Sequence, residues 1–216
     1  MNAIATIYHG KHGEELAKFR WRHERYAEKC NVEFKPCYGK TSLHRMYDLL
    51  DNYDRVLWID ADVLIHDSSP DLFQIVPVDH VGAVDACATG NESEVEYRQN
   101  HIITTCNEEG LLVPETGGRY FNLGVAIASN IHKQFWEPRR TWSDHDWREE
   151  TAINVRMFIA QAKIMSLPEC FNRFVYYGQK PKRFTDMSYF LHYAGPPSLE
   201  QRIKDMEQQS KQWGDL

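Results

Sequence analysis

What this chain lacks narrows it first. It has no run of lysine or arginine and a formal net charge of -6, which argues against a surface built for nucleic acid or anionic membrane. A substrate that carries phosphate would therefore need local cations. No apolar run approaches the length that spans a bilayer, and the chain enters "NAIATIYHG" without the basic stretch and long apolar core of a signal peptide. The five cysteines, Cys30, Cys37, Cys87, Cys106 and Cys170, are an odd number, widely spaced and without a C-x-x-C pair. They point to free thiols, most simply core residues, in a reducing compartment, and the expected location is the cytoplasm. Internal repeats and low-complexity segments are missing as well.

What is present is enough for a substantial core: 216 residues, 42% of them hydrophobic, fit one large domain or two small ones. Strand and helix patterns alternate. "AIATIY" reads as a strand, and Leu16, Phe19, His23, Tyr26 and Cys30 fall at helical spacing within a helix from Glu14 to Cys30. "NVEFKPCY" is a second strand. "KTSLHRMYDLLDNYD" is a helix with Thr41 or Ser42 as its cap and Leu43, Met46, Tyr47 and Leu50 on one face. "RVLWI", "HVGAVDA", "NLGVAIAS", "KIMSLP" and "SYFLHYAG" read as strands, and "REETAINVRMFIAQA" and "SLEQRIKDMEQQSKQW" as helices. Such alternation predicts an α/β layer structure on a mostly parallel sheet. Between Ala88 and Arg119 the pattern dissolves, and the polar segment from Thr89 to Gly118 is expected to be a functional loop or lid.

One stretch stands out. "RVLWIDADVLIHD" drives an apolar strand into Asp60 and Asp62. In open α/β sheets ligands bind at the carboxyl ends of strands, and residues i and i+2 of an extended chain point the same way. Both carboxylates can then face one ion. Oxygen ligands with no paired thiol or imidazole near them in sequence suit Mg²⁺ or Mn²⁺ over structural zinc. The plainer alternative is that one acid caps the next turn and the other is solvated.

"YDRVLWIDADVLI" resembles the D-x-D segment of nucleotide-sugar glycosyltransferases of GT-A fold, the glycogenin-like family 8 and the related family 34. "YFNLGVAIAS" resembles their FN-small-G strand, "EETAIN" their D-Q-x-x-L-N helix, "LPECFN" their LP-x-x-[WF]-N strand end and "FLHYAG" their late H-[YF]-x-G motif. The chain also resembles the amino-terminal glycosyltransferase domain of a large chlorovirus protein, which implies further domains of a longer polypeptide. The family tail H-x-x-G-x-x-K-P-W is altered here to "HYAGPPSLEQR", without its lysine and tryptophan. Phosphate neutralisation is then expected from Lys180, Lys182 or Arg183.

The resemblance implies a single GT-A (Rossmann-like) domain over residues 1–216, with residues 1–85 holding nucleotide and 86–216 shaping the acceptor cleft. It implies metal-dependent transfer of a hexose, glucose or a deoxyhexose such as rhamnose, from a UDP-sugar to a glycan, with retention. Asp60, Asp62 and His192 would hold Mn²⁺ or Mg²⁺, although a histidine among aromatic residues is also an ordinary core residue. Thr6 and Tyr8 would meet the uracil, with Gly10 allowing close approach, while Tyr8 also fits plain core packing. Arg45 and Lys40 would lie near the donor, and Arg45 fits a solvated helix face equally. Asp85 and Asn122 would face the donor sugar. Glu149 or Glu150 would act at the anomeric carbon, or else form an acidic first helical turn, and Asp144 and Asp146 are alternative acids on the acceptor side. Removing Asp62 from a metal-free site is expected to relieve like-charge repulsion and leave the fold intact.

Two other readings fit parts of the sequence. A hydrophobic strand followed by D-x-D also suits a haloacid-dehalogenase-like phosphatase or phosphotransferase with Asp60 as nucleophile, but no G-D-x-x-x-D segment follows. The third reading is a non-catalytic module that binds a sugar nucleotide or glycan.

Overall fold

The computed structural model describes residues 1–38, 44–88, 90–138, 148–175, 188–195 and 198–214. The first half runs β1 (Asn2–Tyr8), α1 (Gly10–Leu16), α2 (Arg20–Lys29), β2 (Glu33–Tyr38), α3 (His44–Leu49), β3 (Arg55–Ile59), β4 (Val63–Ile65), α4 (Leu72–Ile75) and β5 (Val81–Asp85). The second half runs α5 (Glu92–Glu109), β6 (Phe121–Ser129), α6 (Arg148–Ile159), β7 (Ile164–Leu167), β8 (Arg173–Phe174), β9 (Phe190–His192) and α7 (Leu199–Gln212). No helix among the described residues is long and apolar enough to cross a membrane.

A six-stranded sheet in the order β2-β1-β3-β6-β5-β7 forms the centre. Every pairing is parallel except those of β6, which runs against both β3 and β5. The mostly parallel α/β sheet is therefore as the sequence implies, with one strand reversed. Strands β3, β5 and β6 are buried along their whole length, which is why they read as continuous apolar runs instead of alternating ones. The reversal of β6 has a consequence for the site: its first residues, Phe121–Gly124, lie at the edge where β3 and β5 end.

Of a second sheet, sequence reading finds only β9, inside "SYFLHYAG"; β4, β8 and the sheet itself escape it. The sheet has three strands in the order β4-β9-β8, each of only two or three residues, too short to show a period. Antiparallel pairing of β4 with β9 sets Val63 opposite His192, and the amide of Tyr193 donates to the carbonyl of Asp62 at 2.9 Å.

Other differences from expectation have local causes. The helix expected from Glu14 to Cys30 is interrupted by a 3-10 turn, Ala17–Phe19, where Phe19 leaves helical geometry at φ -96°, ψ 0°. The cap expected at Thr41 or Ser42 and the face residue Leu43 lie outside the described residues. The largest correction concerns the polar segment: it contains the 18-residue helix α5, not a loop. The Asn91 side chain accepts from the Glu94 amide and the Glu94 carboxylate from the Asn91 amide, a reciprocal capping box, and Gly110 closes the helix in the left-handed region at φ 65°.

Helix α2 buries His23 completely. Its Nε2 lies 2.9 Å from the Val63 carbonyl and its Nδ1 lies 3.1 Å from the Tyr8 hydroxyl, so a neutral ring donates to the first and accepts from the second. Burial drives its pKa down from 6.5 to about 4. Above 6.5 the ring is neutral whether the chain is folded or not. As pH falls, the unfolded chain takes up the proton first, so stability drops between about 6.5 and 4 by up to roughly 3 kcal/mol. Denaturant midpoints at pH 7 and pH 5 should therefore diverge for the unaltered protein. They should lie closer together for His23→Gln.

Candidate active site

Asp60 follows the last residue of β3 and Asp62 precedes β4. Both stand at the carboxyl edge of the central sheet, where β9 delivers His192. The Asp60 amide donates to the Gly124 carbonyl at 2.8 Å, which keeps β3 and β6 together up to the site. His192 Nε2 lies 3.3 Å from Asp62 Oδ1 and 3.7 Å from Asp60 Oδ2. One potential ligand atom from each of the three lies within 4.8 Å of the others.

The surroundings orient all three groups. Trp58 Nε1 donates to Asp60 Oδ1 at 2.8 Å. The Asn172 amide nitrogen donates to Asn122 Oδ1 at 2.6 Å, so its oxygen faces His192 Nδ1 at 2.9 Å. That contact places the imidazole proton on Nδ1 and turns Nε2 toward the acids. The ring also stacks on Phe174, with centroids 5.0 Å apart. A Cβ built on Gly124 would lie 2.3 Å from His192 Cε1 and 2.9 Å from Asp60 Oδ2, so the glycine leaves the room in which imidazole and carboxylate meet.

Charge is arranged with equal care. Arg202 of α7 reaches back to Asp62 Oδ2 at 3.2 Å. Burial would raise the Asp62 pKa, but His192 and Arg202 more than offset it and hold the carboxyl below its usual range. Asp60 is pushed up to about 6, chiefly by desolvation, with His192 acting against the shift and Asp62 adding to it. Burial alone would lower the His192 pKa, yet the two carboxylates raise it. Because Asp62 is paired with Arg202 and in contact with His192, the sequence expectation of simple like-charge relief on its removal does not stand.

The other sequence-derived residues divide. Glu150, at the start of α6, accepts from the Leu123 amide at 2.8 Å and from Asn122 Nδ2 at 3.0 Å, both on Oε2. Its Oε1 is buried without a hydrogen bond, and burial raises its pKa. Asn122 also accepts from the Gly124 amide at 3.0 Å; it links Glu150 to Asn172 and supports the histidine. Asp85 uses Oδ1 to hold the amides of Cys87 and Tyr120, so it fastens the turn after β5. Thr6 and Tyr8 are 0% and 3% exposed, and Tyr8 is bonded to His23. Packing, the plainer alternative, describes Tyr8, because a buried ring has no face left for a base. Gly10 has φ 57° with open space around an added Cβ, so backbone conformation alone already favours glycine there. Arg45 is half exposed and 3.7 Å from Asp48 one turn along α3, the solvated-face arrangement. Glu149 lies in the first turn of α6. Lys40, Asp144, Asp146, Lys180, Lys182 and Arg183 lie outside the described residues.

Sequence reasoning missed three members of the site. Asn172 lies inside the quoted "LPECFN", Trp58 inside the D-x-D strand, and Arg202 on a helix whose polar composition reads as solvated.

An α/β fold with this strand order, and an acidic pair at the sheet edge, is of GT-A type. Residues 12–197 match the model of Glycosyl transferase family 8, and the chain belongs to that family. Among solved structures it is similar to a glycosyltransferase involved in the glycosylation of the major capsid of PBCV-1. That match has a TM-score of 0.63 at 14% identity, over 96% of this chain and 98% of the other. It is also similar to the glycosyltransferase GlyE of Streptococcus pneumoniae TIGR4, with a TM-score of 0.51 at 12% identity over 97% and 64% of the two chains. For mouse xyloside xylosyltransferase 1 the TM-score is 0.50 at 11% identity, over 89% and 97%. Among curated proteins none matches the chain in sequence. The family membership makes the chain a glycosyltransferase and removes the ground for the haloacid-dehalogenase-like alternative.

Proposed function

We propose that the chain transfers a hexose, glucose or a deoxyhexose such as rhamnose, from a UDP-sugar to a glycan acceptor, with Mn²⁺ or Mg²⁺ held by Asp60, Asp62 and His192 and with retention of anomeric configuration. The observation that carries the reading is the convergence of two carboxylates and an oriented imidazole at the carboxyl edge of the sheet. That donor set fits a divalent cation of this class: hard oxygen ligands, one neutral nitrogen, and support from Asn172 and Trp58 behind them. The space kept open by Gly124 fits it too.

Such an ion would supply positive charge to the departing diphosphate. The chain's own residues do the rest. Arg202, its Nε buried without a partner, stands beside Asp62 and takes the part of the lysine missing from the family tail. Residues 1–85 hold the nucleotide, and residues 86–216 shape the acceptor side. Glu150 keeps one oxygen fixed by Leu123 and Asn122 and the other, Oε1, unused. This leaves it able to accept a hydrogen bond from the donor sugar or to stabilise positive charge at the anomeric carbon. The five free cysteines fit a reducing compartment such as the cytoplasm.

The test is a panel of nucleotide sugars assayed for Mn²⁺-dependent binding and hydrolysis. UDP-sugars are expected to bind saturably and to turn over. Release of phosphate from simple phosphate esters without UDP-sugar binding would overturn the assignment, and saturable binding with no turnover on any glycan would mark a binding module.

A further inference from the structure

Helix α5 carries a buried arginine that nothing described so far employs. Arg98 is 8% exposed. Its guanidinium carbon lies 5.2 Å from the ring centroid of Tyr120, and among the described residues it makes no hydrogen bond and no ion pair. A guanidinium that is mostly buried yet bonded to no described protein group keeps its planar set of donors for a ligand to complete. Its position is informative. Arg98 lies over Tyr120, whose hydroxyl meets Thr151 next to Glu150 at the start of α6, while Ile102 and Cys106, further along the same buried face of α5, join the core.

Glu150 is the counterpart. Arg98 is among the charges that act on it, yet the two form no ion pair. Each is pinned from its own side: Arg98 over the Tyr120 ring, Glu150 Oε2 by the Leu123 amide and Asn122. The Tyr120 hydroxyl is itself tied to Thr151 Oγ1 at 2.9 Å. A donor and an acceptor held near each other, but apart, are preorganised for a ligand that offers both roles. Neighbouring hydroxyls of a sugar do so, one oxygen accepting from Arg98 and one O–H donating to Glu150 Oε1. A carboxylate-bearing sugar would meet the Glu150 charge.

We propose that Arg98 and Glu150 together bind the hydroxyls of a neutral donor sugar, and that Arg98 is a specificity-determining residue of this glycosyltransferase. The assignment rests on the UDP-sugar reading above. Arg98 contributes to the sugar and not to the nucleotide, so the two moieties separate in the test.

Calorimetric titrations with Mn²⁺ present would compare UDP alone with the better bound of UDP-glucose and UDP-rhamnose, in the unaltered protein and in Arg98→Gln and Arg98→Lys. UDP affinity is expected to stay within about twofold, while the extra affinity conferred by the sugar falls about tenfold in Arg98→Gln, the loss of one charge-assisted hydrogen bond. Arg98→Lys keeps the charge and stem but not the planar fork, and it serves if Arg98→Gln does not fold; it is expected to lose part of the same increment. UDP-glucuronate is expected to bind less tightly than UDP-glucose. Unchanged sugar-dependent affinity in the folded variants, an equal loss for UDP alone, or preference for UDP-glucuronate overturns the role of Arg98. Failure of the unaltered protein to bind UDP at all overturns the donor reading itself, and this assignment with it.

Discussion

Asp62→Asn is expected to lower sugar transfer by about a thousandfold or more while the protein remains folded. The substitution keeps the shape of the side chain but removes one of the two anionic ligands, so the positive charge needed as the diphosphate departs is no longer held in place. Stability should fall as well. Asp62 is paired with Arg202 at 3.2 Å and with His192 at 3.3 Å, all three largely buried, with side chains 15%, 18% and 4% exposed in the order Asp62, Arg202, His192. Loss of one charged partner in such a setting costs about 1 to 2 kcal/mol, which for a domain of this size lowers Tm by about 2 to 8 °C. Steady-state transfer and a melting curve without metal check both parts. Transfer near the unaltered rate would remove Asp62 from the mechanism, and complete unfolding would make it a structural acid.

Gly124→Ala, the addition of one methyl group, is expected to reduce Mn²⁺ affinity and transfer by about a hundredfold each. The new carbon would sit 2.3 Å from His192 Cε1, 2.8 Å from its Nδ1 and 2.9 Å from Asp60 Oδ2. No atom pair tolerates the first of these distances. The imidazole cannot easily yield, because Phe174 stacks on it and Asn172 holds Nδ1. Either the ring turns, taking Nε2 away from the acids, or β6 shifts from β3 beside Asp60. Both outcomes disperse the ligands. Metal titration by calorimetry is the check, and unaltered affinity would show that the ring and carboxylate do not act on one ion.

How much of this was legible follows from where each signal lies. Asp60 and Asp62 announce themselves because the apolar strand before them and their i, i+2 spacing are both local. His192 comes through resemblance alone: its approach to Asp62 depends on β4 and β9, strands of three residues whose pairing joins distant parts of the chain. Arg202, 140 residues from Asp62, leaves no trace at that range. Helix α5 was hidden by its composition, since the face it buries consists of Arg98, Ile102, Thr105 and Cys106 and carries little apolar periodicity. Its ends were readable, with Asn91 and Glu94 at one and Gly110 at the other. Tyr8 erred the other way: an aromatic residue at a strand end suggests a ligand platform, but its hydroxyl is bound to His23 inside the fold.

The distance between Asn172 and His192 Nδ1, 2.9 Å, makes the central claim open to a direct spectroscopic test, because an imidazole that ligates through Nε2 brings nitrogen to the metal. Pulsed electron paramagnetic resonance of the Mn²⁺-loaded protein, with and without UDP, is the most decisive measurement. Bound Mn²⁺ with ¹⁴N coupling from one imidazole, lost in His192→Gln, is the predicted result. Manganese that binds without nitrogen coupling, or equally well once His192 and Asp62 are both replaced, would contradict it.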